Sequence, residues 1–211
     1  MFILEKIGGN YKLNTLKAII FDCFNVLVVD ATKHMLEELR DIDPAKRQEF
    51  RAITEAYDKG IISEDEASTA QSELLGMSLD AFLTLRNQGE IRNDELITYI
   101  ETVKGDFKLA MLSNIGSRAR LDMRFLPGQI DQLFEVVVPS GEVGYVKPQP
   151  EIFQLTAQKL GVRPEECVMI DDIDAYCISA REVGMQAIHY VNNEQLIADL
   201  TSLIDRGEIR G

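Results

Sequence analysis

Thiols and imidazoles are scarce in this chain, which has three cysteines and two histidines in 211 residues. Cys23, Cys167 and Cys177 are odd in number, sit in apolar surroundings and show no metal-thiolate spacing. That excludes a disulfide scaffold and suits a reducing, cytoplasmic compartment. His34 and His189 fall in different predicted subdomains, and no carboxylate–histidine spacing points to zinc. Positive charge is also in deficit, with 22 basic against 35 acidic residues and a net charge of −13, which argues against nucleic acid or an anionic membrane surface as the partner. An anionic ligand would therefore need local cations. Residues 1–16 contain no apolar run long enough for a signal peptide or a membrane span, and read as an N-terminal extension. A hydrophobic content of 45% is enough for one core domain plus a small insertion at this length.

The stretch from Lys17 to Val29 is apolar apart from Asp22 and Asn25. An ionised Asp is costly to bury unpaired, so Asp22 belongs at the mouth of a buried strand running from Ala18 to Phe21, with Asn25 in the turn that follows. Lys108 to Ser113 forms a second apolar run, and Glu166 to Asp172 a third that ends in a carboxylate pair. Lys147 precedes a proline-opened segment. Strands are expected to end near Ser113, Val138, Asp171 and Tyr190, with helices near Ser117–Phe125, Pro150–Leu160, Ile173–Val183 and Asn193–Ile204. Such alternation predicts an α/β fold, a parallel sheet with right-handed crossovers and helices on both faces. Ligands of these sheets lie beyond the carboxyl ends of the strands, so Asp22, Ser113 and Asp171 should converge.

Between Asp30 and Lys104 the spacing becomes helical, with Leu36, Leu39 and Ile42, then Phe50, Ile53 and Tyr57, then Ala67, Ala70 and Leu74 on successive faces. Ser63 and Glu66 have the form of a capping box, Pro44 suits a first turn, and Gly60, Gly76 and Gly89 punctuate the runs.

The order Asp22, Ser113, Lys147, Asp171-Asp172 resembles that of the haloacid dehalogenase-like hydrolases, a superfamily dominated by phosphatases. The phrases Ser140–Gly144, Lys147–Phe153 and Ala180–His189 are also similar, and the likeness runs from about Leu16 to Val191. It implies a Rossmann-like sheet with the Asp22 strand in the middle, residues 17–30 and 105–211 as the core, and residues 31–104 as a small helical cap that closes over the site. His34, Arg51, Tyr57 and Arg86 are the polar candidates in that cap. The resemblance assigns Asp22 as the nucleophile that forms an aspartyl-phosphate. It assigns Mg²⁺ to Asp22, the Phe24 main-chain carbonyl and Asp171, with Asp172 in support. Ser113 and the Asn114 N–H would hold phosphoryl oxygens while Lys147 offsets charge in the transition state. The partner it implies is a small phosphorylated metabolite, sugar phosphates among them.

Two departures bear on activity. The family's phosphatases commonly carry a second Asp two residues after the nucleophile, as general acid and base, where this chain has Phe24. Leaving groups that need little protonation, as in sugar 1-phosphates, acyl phosphates and aryl phosphates, should suffer least. After Asp172 the family places small or polar residues, and here Ile173, Ala175 and Tyr176 stand, with Asp174 the nearest polar group. The alternatives are a non-catalytic binding protein that keeps the fold, and a 2-haloacid dehalogenase, in which an aromatic residue often occupies the Phe24 position.

Overall fold

A computed structural model describes residues 6–7, 10–11, 16–38 and 43–205. Short strands β1 (Lys6–Ile7) and β2 (Asn10–Tyr11) pair antiparallel, apart from the main sheet. That sheet comprises β3 (Ala18–Phe21), β4 (Lys108–Ser113), β5 (Val136–Pro139), β6 (Cys167–Asp171) and β7 (Gln186–His189), all parallel, in the order β5-β4-β3-β6-β7. The Asp22 strand is central. Its fully buried sequence Ala-Ile-Ile-Phe alternates between faces, as strand geometry requires. Ile19 and Phe21 join Leu109, Met111, Val168 and Ile170 on one side, and Ala18 and Ile20 join Ala110, Leu112 and Met169 on the other.

Among the described residues eleven α-helices follow in chain order: α1 (Ala31–Glu38), α2 (Pro44–Asp58), α3 (Glu64–Leu75), α4 (Leu79–Gly89), α5 (Asp94–Val103), α6 (Arg118–Asp122), α7 (Gln129–Leu133), α8 (Ser140–Val143), α9 (Pro150–Leu160), α10 (Asp174–Glu182) and α11 (Asn193–Leu203). Leu96, Ile97 and Ile100 of α5 and Leu196 and Leu200 of α11 cover the first face of the sheet. Ile152, Phe153 and Ala157 of α9 and Ala180 of α10 cover the second. The expected helix at Pro150–Leu160 is found with those bounds, closed by the left-handed Gly161. No described helix is long and apolar enough to cross a membrane.

Helices α1 to α4 form the insertion and have their own small core of Met35, Phe50 and Phe82. Pro44 opens α2, and the Ser63–Glu66 capping box is fully formed at the start of α3. Two expectations need correction. Gly89 is the last residue of α4, a helix that the spacing did not reveal, and not a break between helices. α5, placed in the cap by the boundary at residue 104, packs on the sheet through Leu96, Ile97, Ile100 and Val103. The expected contacts of Leu39 and Ile42 lie outside the described residues.

Insertion and core meet through main chain. A Cβ on Gly60 would lie 2.5 Å from the Gly141 carbonyl oxygen, and one on Gly141 would lie 2.5 Å from that of Gly116. Ser140 Oγ donates to the Asp58 carbonyl at 2.5 Å and accepts from the Ile115 N–H at 2.9 Å. Only residues without side chains permit so close an approach.

Candidate active site

The register pairs Phe21 with Met111 on one side and with Ile170 on the other, so the sheet carries Asp22 and Asp171 side by side at its carboxyl edge. Lys147 bridges them. Its ammonium lies 2.8 Å from Asp22 Oδ1 and 2.5 Å from Asp171 Oδ2, with the lysine side chain 1% exposed. The lysine backbone is clamped by Asn114, whose Oδ1 accepts the Lys147 N–H at 2.8 Å while its Nδ2 donates to the Lys147 carbonyl at 2.9 Å. Burial works against the Lys147 charge, but Asp171 and Asp22 outweigh it and hold the ammonium well above its ordinary value. For Asp22 burial wins: it pushes the carboxyl up to about 8, against the lowering effect of Lys147 and with a further push from Asp171.

The loop after β3 turns on Asn25, which has φ 59°, a left-handed conformation that Asn tolerates. Asn25 Oδ1 accepts the Asp30 N–H at 3.0 Å, and its Nδ2 donates to Asp172 Oδ2 at 3.2 Å. Lys33 reaches the same Asp172 oxygen at 2.7 Å. Asp22, Asp171 and Asp172 each offer an oxygen, all within 4.8 Å of one another. Three carboxylates this close, balanced only by two ammonium groups, form a hard, oxygen-rich donor set that fits Mg²⁺. Ser113, at the end of β4, is 1% exposed, and its Oγ has no hydrogen-bond partner among the described residues. A buried orphan hydroxyl beside two strand-end carboxylates is suited to a ligand oxygen.

Above this edge lies a cavity of about 440 Å³, bounded on the core side by Asp22, Ser113, Asn114 and Lys147. Arg51, Tyr57 and Arg86 line its far side, as expected of the insertion, whereas His34 is exposed and does not line it. Phe24 also lines the cavity, with its ring 5.9 Å from the Arg120 guanidinium. Tyr176 sets its ring 5.0 Å from Lys147 Nζ. Cys23 is fully buried, and burial followed by the Asp22 charge pushes its thiol well above the ordinary value, so it is an inert core residue. His189 ends β7 and contacts the Asp172 carbonyl at 3.0 Å.

Sequence reasoning did not single out Lys33, Arg120 or Glu90. Glu90 and Arg120 form a buried ion pair that joins the end of α4 to α6, and Arg124 adds a second contact to Glu90. The pairing spans thirty residues of sequence, and no local pattern announces it.

A parallel sheet that presents carboxylates and a buried lysine at its carboxyl edge, beneath a helical insertion, defines a Rossmann-like α/β fold with a polar site at that edge. The family model for haloacid dehalogenase-like hydrolases matches residues 16–184, and the chain belongs to that family. It is 27% identical to a predicted HAD-like family hydrolase from Porphyromonas gingivalis, with a TM-score of 0.72 over 90% of this chain and 98% of that one. A Bacillus subtilis (strain 168) chain with a provisional phosphatase assignment, YhcW, is 26% identical over 82% of each sequence. A shorter match of 55 residues, 42% identical, links 26% of this chain to 29% of the fructose-1-phosphate phosphatase YqaB of Escherichia coli (strain K12). The wild-type HAD family enzyme bt-2542 of Bacteroides thetaiotaomicron, solved with magnesium and inorganic phosphate, shares the fold at a TM-score of 0.66 and 20% identity over 82% of this chain and 93% of that one.

Proposed function

We propose that the chain is a Mg²⁺-dependent phosphatase of small phosphorylated metabolites, working through an aspartyl-phosphate on Asp22. The observation that carries this reading is the buried Asp22–Lys147–Asp171 bridge with the orphan Ser113 hydroxyl at the same sheet edge. Asp22, Asp171, Asp172 and the Phe24 carbonyl would hold Mg²⁺, which supplies positive charge against the phosphoryl group.

Asp22 in its ionised form attacks phosphorus. The Asp22 oxygen–phosphorus bond forms as the bond to the leaving oxygen breaks, and water then cleaves the acyl phosphate to release phosphate and regenerate the carboxylate. Lys147 and the Ser113 hydroxyl hold the phosphoryl oxygens, with the Asn114 N–H alongside. With Phe24 in the place of a general acid, the leaving oxygen takes its proton from solvent. Leaving groups of low basicity are favoured, among them the anomeric oxygen of a sugar 1-phosphate. The name of the fructose-1-phosphate phosphatase YqaB is in keeping with such a substrate.

The insertion up to about Ile91 acts as the cap, with its inner face turned to the substrate. Three free, buried cysteines and the acidic balance suit a cytoplasmic enzyme without a nucleic-acid or membrane partner. The test is phosphate release from an aryl phosphate and a sugar phosphate panel, with and without Mg²⁺, for the native chain, Asp22→Asn and Ser113→Ala. Loss of release in Asp22→Asn supports the reading. If the native chain does not exceed the Asp22→Asn background, Phe24 instead marks a non-catalytic member that binds phosphorylated ligands.

A further inference from the structure

Two buried arginines, one on the insertion and one on the core, line the cavity with donors that no acceptor meets among the described residues. Arg86 and Arg120 are 6% and 5% exposed and both line the cavity that holds Asp22. Arg86 donates to Ser68 Oγ at 3.1 Å and pairs with Glu64 at 2.7 Å, which leaves its Nε without a hydrogen-bond partner among the described residues. Arg120 pairs with Glu90 and, at 3.2 Å, with Glu64, which leaves its Nη1 without one. Arg124 draws on Glu90 as well. Three guanidiniums thus share two carboxylates. A buried guanidinium N–H without an acceptor is costly, and an oxyanion is the group that matches it.

The surrounding charges agree. Burial, and then the nearby charge of Arg120, holds Arg86 and Arg124 below their ordinary values, whereas for Arg120 burial is outweighed by Glu90 and Glu64, which hold it above its own. Asp30, Glu55 and Asp58 also line the cavity, and burial pushes the Asp30 and Asp58 carboxyls upward. Phe24 connects the two ends: it stands two residues from Asp22, and its ring lies 5.9 Å from the Arg120 guanidinium.

We propose that Arg86 and Arg120 form a second oxyanion subsite, so that the preferred substrate is a small phosphorylated compound with a second anionic group. This rests on the phosphatase reading for the chemistry at Asp22. The second group is a carboxylate or a second phosphoryl, since both present oxygens to guanidinium forks in the same way.

Three unreactive phosphonates test it by calorimetry on the native protein with excess Mg²⁺: methylphosphonate with one anionic group, phosphonoacetate with an added carboxylate, and methylenediphosphonate with an added phosphoryl. At least one of the two extended probes is expected to bind about tenfold or more tightly than methylphosphonate, and which one does so identifies the second group. Arg86→Lys and Arg120→Lys should each reduce that preference several-fold while affinity for methylphosphonate stays within about twofold. Equal binding of all three probes, or binding of none, overturns the subsite. Aryl phosphate turnover distinguishes the two failures. Turnover without a probe preference removes the subsite and leaves the phosphatase, whereas a probe preference without turnover keeps the subsite and removes the reaction.

Discussion

Tyr176 faces the Lys147 ammonium with the plane of its ring, 5.0 Å from nitrogen to centroid. The contact lies where the family usually places small or polar residues, and it gives the lysine a partner that is neither acidic nor a hydrogen-bond acceptor. A desolvated cation–π contact is worth about 2 kcal/mol. Tyr176→Leu should therefore lower kcat/KM for an aryl phosphate about tenfold, whereas Tyr176→Phe should stay within about threefold of native. Equal losses in the two variants would mean that the hydroxyl, 3.4 Å from Asn114 Nδ2, matters and the ring does not.

Asp22 costs the metal-free protein stability. Its carboxyl rises from the ordinary 3.8 to about 8, chiefly through burial, so the folded state binds the proton more tightly than the unfolded state. The penalty is absent below the unfolded value, grows as pH rises towards 8 and is complete above that. Asp22→Asn cannot ionise there and should be more stable than native at pH 8.5 by on the order of a few kcal/mol, with the difference shrinking towards pH 5. Urea unfolding in the presence of a chelator measures this, and parallel pH profiles for the two proteins would contradict it.

The glycine contact between insertion and core can be tested by adding one carbon. Gly141→Ala puts a Cβ 2.5 Å from the Gly116 carbonyl oxygen and should destabilise by about 1–3 kcal/mol as main chain is forced apart. Gly116→Ala puts a Cβ into the Tyr57 ring and should act on the cap, raising KM more than it lowers Tm. Comparing thermal melts with KM for both variants checks the separation.

Phe24→Asp would return a carboxylate to the position of the missing acid, but Arg120 already stands over that site. The guanidinium should keep the new group ionised and divert it from the leaving oxygen. Release from alkyl phosphates is expected to rise less than tenfold, short of the roughly 10²–10⁴ that a positioned acid provides. A gain of a hundredfold would show that Arg120 leaves the carboxylate alone.

Much of the core was readable because its signals are local. Ala18–Phe21 is a continuous apolar run that ends in a carboxylate, Pro150 and Gly161 bracket α9, and Ser63 with Glu66 marks the start of α3. α4 was not, since Leu79–Gly89 carries little periodic contrast and ends on the glycine that reads as a break. The place of α5 was hidden for a related reason: it has the apolar stripe of any amphipathic helix, and only packing reveals that Leu96 and Ile100 meet the sheet. In the site, strand ends located Asp22, Ser113 and Asp171, whereas Arg120 and Lys33 gain meaning only from partners far along the chain, Glu90 and Asp172. A helical charge on its own reads as solvated, and most are.

The stacked main chains of Gly60, Gly141 and Gly116 fix one part of the joint between insertion and core by backbone alone, beside the side-chain pairs that Arg120 makes with Glu64 and Glu90. Inner-face positions that make no contact with the core, unlike Tyr57 and Glu64, can therefore change without disturbing how the insertion docks. Substrate preference becomes an interchangeable property here, free to drift while the seam and the chemistry beneath it remain the same.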